Sequence, residues 1–202
     1  MARLIRTVML AGIVMIAATA VGASAFTAAT VDRQANTDVV ADDSGLVGLT
    51  DGNSGNLVYQ NQDDQLEIDF ANGTATGANT DAMFELGDPA NPGTSQAFII
   101  SNNDDEAHTI NVNYTLDGND GNTDVNYEFR IFDSDGNDVG TVDEEGTTVS
   151  LDAAAAASYN VVVVVDTGHG SAGTLTSTDD LSGTLSFTID DVDEGGTNSD
   201  GS

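Results

Sequence analysis

The run Ser158-Tyr159-Asn160-Val161-Val162-Val163-Val164-Val165-Asp166-Thr167 decides the fold class. Five consecutive β-branched valines are stiff at χ1 and favour an extended pleat over a helix. A half-buried antiparallel strand alternates apolar and polar residues, and this one does not. Its inward parity holds Tyr159, Val161, Val163 and Val165, which leaves Val162 and Val164 as surplus. Their face needs a cover, either the Leu46-to-Leu86 region or a strand from a neighbouring molecule.

Other stretches supply the alternation that the valine run lacks. Leu66, Ile68 and Phe70 alternate with Glu67 and Asp69. His108, Ile110, Val112, Tyr114 and Leu116 alternate with Thr109, Asn111, Asn113 and Thr115, and Val125, Tyr127, Phe129 and Ile131 with Asn126, Glu128 and Arg130. Leu181, Leu185, Phe187 and Ile189 repeat the pattern near the end, while Val149 and Leu151 mark a short strand. Leu57-Val58-Tyr59 and Ala97-Phe98-Ile99-Ile100 complete the set. Ser44 to Gly55 reads as a loop with a short apolar contact, and Asp152 to Ala157 as at most one helical turn. Short strands separated by Gly, Asn, Asp and Pro clusters predict an all-β, immunoglobulin-like antiparallel β-sandwich of about seven to nine strands.

The chain has 202 residues, 34 acidic against 4 basic, and a formal net charge of -30. Self-repulsion of that size is screened at about 1 M salt, where the Debye length is about 3 Å. The composition therefore fits concentrated brine, and it makes nucleic acid and anionic membrane poor partners. Cysteine is absent, which excludes disulfides, thiolate metal sites and cysteine nucleophiles together.

The termini carry their own signals. Arg3 and Arg6, the apolar Val8 to Val21 and Ala23-Ser24-Ala25 read as a secretory signal helix over residues 1–25, cleaved between Ala25 and Phe26. Residues 26–190 form the expected sandwich domain, whose Phe26 to Val40 segment is extended but raggedly patterned. Residues 191–202 read as a disordered acidic tail. The folded part is thereby expected outside the cytoplasmic membrane, with no membrane attachment after cleavage.

Ala25-Phe26-Thr27, Asp38-Val39-Val40-Ala41-Asp42-Asp43, Leu46-Val47-Gly48-Leu49, Phe98-Ile99-Ile100-Ser101-Asn102-Asn103, Phe132-Asp133-Ser134-Asp135-Gly136 and Val163-Val164-Val165-Asp166-Thr167 occur in that order. Together they resemble a family of secreted, acidic haloarchaeal β-sandwich proteins of unknown function. That family is similar, more loosely, to the TasA/camelysin group of extracellular fibre proteins. The resemblance implies an immunoglobulin-like fold and a surface or filament role, with an N-terminal strand donated to the next subunit. Phe26 to Val40 is the donor-strand candidate.

Chemistry-bearing motifs are few. Asp133-x-Asp135-Gly136-Asn137 suggests an oxygen site for weak calcium at Asp133, Asp135 and Asn137. The EF-hand spacing fails, because the sixth position is Asp138 where glycine is required, and Asp-Gly between strands also fits a hairpin turn. Asp143, Glu144 and Glu145 read as a solvated charge run. His108 and His169 show no clustered acid and nucleophile, so no catalytic residue is assigned and no cofactor is expected. Asn72-Gly73-Thr74 and Asn113-Tyr114-Thr115 match the N-glycosylation pattern at Asn72 and Asn113. The expectation is an exported, non-enzymatic structural or cell-surface protein that self-associates or binds other surface proteins by strand addition. The alternative is a soluble extracellular module for cations or cell-surface glycans.

Overall fold

The computed structural model describes residues 41–190 apart from 54, 73 and 120. The signal segment with its Ala25/Phe26 junction, the Phe26 to Val40 segment and the tail at 191–202 lie outside the described residues. Among the described residues eleven strands follow a short 3-10 turn, Asp42–Ser44: β1 (Val47–Asp51), β2 (Val58–Gln60), β3 (Leu66–Ile68), β4 (Met83–Leu86), β5 (Phe98–Asn102), β6 (His108–Leu116), β7 (Tyr127–Phe132), β8 (Asp138–Asp143), β9 (Thr148–Ala153), β10 (Ser158–Asp166) and β11 (Gly183–Asp190). The class is all-β, as the sequence predicts, and the count exceeds seven to nine. Three strands are hidden by their composition. β1 lies in the Gly/Asp/Asn stretch read as a loop, β4 is four residues long, and β8 carries Gly140 in its middle.

The strands form two main antiparallel sheets with β-sandwich-like packing. The larger has the order β1-β5-β10-β7-β8, with β4 pairing β10 beyond the end of β5; the smaller is β11-β6-β9. Alternation decides what lies between them. Ile110, Val112 and Tyr114 of β6 are buried, as are Phe129 and Ile131 of β7 and Val161, Val163 and Val165 of β10. Tyr114 crosses the interface to meet Tyr127 and Phe129, with ring centroids 5.3 and 5.2 Å apart. Such edge and tilted pairs add about 0.5–1.5 kcal/mol beyond the area that they bury.

The larger sheet is wider than its partner, and the β2–β3 hairpin packs beside β1. Val58 is buried there, Leu66 and Ile68 pack on the core, and Phe70 meets Phe84 of β4 edge-on at 5.3 Å.

β10 sits in the middle of the larger sheet and is buried on both faces, which explains the unbroken valines. Val162 is 0 % exposed and Val164 3 %, and with Phe132 they form a second small cluster on the outer side. The β4–β5 connection contributes to its cover. Gly87 lies so close that an added Cβ would stand 3.1 Å from Val162 Cγ2. Register sets Arg130 beside Val162 and Glu128 beside Val164, and these two side chains form an ion pair of 2.7 Å on the same face. Part of the cover thus begins just beyond Leu86, outside the region that the sequence singles out. Ala153 to Ser158 turns tightly between β9 and β10, with Ala156 at φ 56°, in place of the helical turn.

Candidate functional site

The end of the sandwich that holds the β8–β9 turn is organised by buried polar groups. Glu144, read from sequence as solvated, is 8 % exposed, and its neighbour Asp143 is 9 %. Glu144 accepts hydrogen bonds from the backbone N–H groups of Asn126 and Tyr127, the latter at 2.8 Å to both carboxylate oxygens. It is an internal acceptor for a strand start, a role that a run of three acids does not announce. Burial raises its carboxyl above the ordinary value; the backbone donors pull it down, and Asp143 adds repulsion. Glu145 alone of the three is exposed.

Asn126 extends this network, donating from Nδ2 to the Asp166 and Gly173 carbonyls at 2.5 and 2.9 Å. The Asp166 carboxylate receives the N–H groups of Gly168 and Gly170 at 3.0 Å and of Ala172 at 3.2 Å, which fixes the loop after β10. Burial pushes the Asp166 carboxyl up, and the backbone donors, Gly170 first, outweigh it, so the group stays below its ordinary value. These carboxylates hold backbone. The geometry is that of scaffolding, with each acceptor facing the donors of its own chain.

The Asp133 turn behaves the same way. Its Oδ1 accepts from the N–H groups of Asp135 and Asn137 at 2.9 and 2.8 Å, and its Oδ2 from Asn137 Nδ2 at 2.9 Å. Those bonds, the Asn137 side chain first, hold the carboxyl below its usual range. Of the three residues expected to hold calcium, Asp133, Asp135 and Asn137, Asp133 has both carboxylate oxygens engaged within the turn. Among the described residues no three His, Cys, Asp or Glu side chains are grouped to hold a metal ion.

His108 opens β6 and is buried; its Nε2 lies 2.7 Å from Asp104 Oδ2. The acid partner stands four residues earlier, in a turn that the sequence shows only as an Asn/Asp cluster. Asn102 fastens that turn, donating from Nδ2 to the Glu106, Ala153 and Ala154 carbonyls at 2.8, 3.0 and 3.0 Å. His169 lies exposed in the loop held by Asp166.

Of the two sequons, Asn72 is exposed and donates from Nδ2 to the Asn56 carbonyl at 2.7 Å. It borders an open cleft of about 430 Å³ with Asp51, Val58 and Tyr59. Asn113 lies on the outward face of β6, as the strand parity predicts from the inward Tyr114.

That outward face is polar and, across its middle, uncharged. β11 and β9 flank β6 in register, pairing Ser186 and Thr148 with Asn113, and Thr188 and Ser150 with Asn111. Thr184 and Thr115 continue the pattern at one end; Asp190, Thr109 and Asp152 close the other. Side chains cross-link it: Asn111 donates to Asp190 Oδ2 at 2.8 Å and accepts from Ser150 Oγ at 2.6 Å, and Asn113 donates to Thr148 Oγ1 at 3.1 Å.

The two edges of this sheet also differ. Val149, Leu151 and Ala153 of β9 point inward and are 9 %, 0 % and 0 % exposed, whereas Leu185, Phe187 and Ile189 of β11 are only half-buried. β11 pairs with β6 alone among the described residues. Sequence periodicity places Leu185, Phe187 and Ile189 inward, and it carries no signal of how far the sandwich closes over them.

No known protein-family model matches the chain, and no curated protein matches it significantly.

Proposed function

We propose that this chain is an exported, non-enzymatic structural protein with an immunoglobulin-like sandwich, which assembles into filaments by adding a strand at the open edge of β11. The observation that carries the reading is the eight-residue β11, whose inward Leu185, Phe187 and Ile189 are half-buried while the inward side chains of β9, at the opposite edge, are buried. A strand laid beside β11 satisfies its outer backbone groups and buries those side chains in one step. The recognition is made by main chain and apolar groups, so it needs no charge complementarity. That suits a molecule of net charge -30 working in concentrated salt, where repulsion between copies is screened. The segment from Phe26 to Val40 of a neighbouring copy is the strand assigned to this edge, on the resemblance to the TasA/camelysin group.

The test uses residues 26–202 purified in about 3 M salt, where electrostatic repulsion is short-ranged. Light scattering and negative-stain microscopy are expected to show filaments that disappear when residues 26–40 are removed. A monomer under these conditions contradicts the reading.

A further inference from the structure

We infer that the outward face of the β11-β6-β9 sheet is a binding surface for a neutral polysaccharide, independent of strand addition at the β11 edge. The chain carries 34 acidic residues, yet the middle of this face, Asn111, Asn113, Thr148, Ser150, Ser186 and Thr188, has none. Its carboxylates stand at the two ends, Asp152 and Asp190 beside Thr109 at one and Asp117, which accepts from Thr184 Oγ1 at 3.2 Å, at the other. An uncharged surface on a chain of net charge -30 favours a ligand without charge.

The chemistry of the face fits hydroxyl groups. Each amide is tied across strands, Asn111 to Asp190 and Ser150 and Asn113 to Thr148 at 3.1 Å, and Asn113 Oδ1 also accepts from Thr115 Oγ1 of its own strand at 3.3 Å. Ser186 Oγ donates to the Asn113 carbonyl at 3.2 Å. The polar array is thus held in place before a ligand arrives, which lowers the ordering cost of binding. A hydroxyl both donates and accepts, so the exposed Ser and Thr groups match the hydroxyls of a sugar chain in either sense. Hydrogen bonds of this kind do not depend on an ion pair that salt would screen.

Size separates this ligand from a protein partner. With about 4.8 Å between strands and about 6.8 Å between alternate residues, the face spans roughly 10 by 20 Å. That is a few hundred Å² at most, well under the ~800 Å² per partner of a stable protein interface. It suffices for a few sugar units of an extended chain, with many copies along a filament or surface adding avidity.

The experiment is co-sedimentation of residues 26–202, in high salt, with insoluble cellulose and insoluble mannan, and in parallel affinity electrophoresis in gels containing dextran. Retention by at least one of these neutral polymers is expected. Asn113→Asp on β6 and Thr188→Glu on β11 are each expected to reduce the bound fraction at least tenfold, while Asp135→Asn in the β7–β8 turn leaves it unchanged. Amide chemical-shift mapping on the unaltered chain with a soluble oligosaccharide of the retained polymer is expected to place the shifts on β6, β9 and β11, which needs no variant to fold. Failure of all three polymers to retain the unaltered chain overturns the inference. So does equal retention of both folded face variants, or a shift map centred on the Asn72 cleft. Loss of self-association in the face variants without any sugar retention makes the face a contact between copies and likewise overturns it. Filament formation is read separately, so a chain that fails to polymerise yet binds sugar retires only the assembly proposal.

Discussion

The two edges of the small sheet are built from strands of similar alternation and end in different states. On β9, Val149, Leu151 and Ala153 are sealed, because β8, the edge strand of the opposite sheet, packs across them. Gly140 makes that approach possible: an added Cβ would stand 2.9 Å from Val149 Cγ2. On β11 nothing comparable closes over Leu185, Phe187 and Ile189 among the described residues, and they stay half-buried. Identical local patterns therefore encode the same face but not the same closure. Closure is a property of the connection, and the short β8–β9 turn, which joins the two sheets, supplies it on one side only.

Truncation should separate the edges most sharply. Leu151→Ala, at a fully buried site, is expected to cost about 2–5 kcal/mol. Leu185→Ala, at a half-buried one, is expected to cost about 1 kcal/mol in the monomer. Chemical denaturation of both variants checks this, and equal losses would remove the distinction between the edges.

The sealed side also depends on Glu144. Glu144→Ala strands the N–H groups of Asn126 and Tyr127 at the start of β7, an expected loss of about 2–4 kcal/mol by the same measurement. Gly140→Ala pushes β8 off Val149 and is expected to cost about 1–2 kcal/mol, with new exposure at β9 seen as faster amide exchange there.

The smallest expected effect is in the pH profile. Burial raises Glu144, so the stabilisation from its protonation is fully present below the unfolded carboxyl value of about 4.3 and is lost as pH rises through the folded value. Asp104, Asp133 and Asp166 are held below their ordinary values, so their contributions are present above about 3.9 and are lost as pH falls through the folded values. Thermal melts in high salt should therefore show stability rising on mild acidification and falling in stronger acid. Glu144→Gln is expected to abolish the rise and keep the fall; an unchanged profile would deny Glu144 its buried role.

Much of the frame was legible in sequence. β6, β7 and β11 announce themselves by period-two alternation, and the unbroken valines of β10 correctly demand burial on both faces. β1 and β8 were hidden because Gly48 and Gly140 replace the side chains that would have shown the period, each where another group approaches closely. At the candidate sites, parity places Asn113 outward, whereas the run Asp143-Glu144-Glu145 reads as solvated and only Glu145 is exposed. Charge in a sequence looks solvated unless its backbone donors are visible, and those of Glu144 lie 17 and 18 residues away. The cross-strand cohesion of the Thr/Ser/Asn face was equally invisible, since it exists only once β9, β6 and β11 are in register.

Strand addition at β11 is tested most directly by placing an inward-pointing charge on that edge. Phe187→Lys sits at a half-buried position from which the ammonium reaches water, so the monomer is expected to stay folded. In about 3 M salt, residues 26–202 are predicted to form filaments under the electron microscope, and the folded Phe187→Lys chain to remain monomeric. Filaments of equal length and number from the variant would contradict the account.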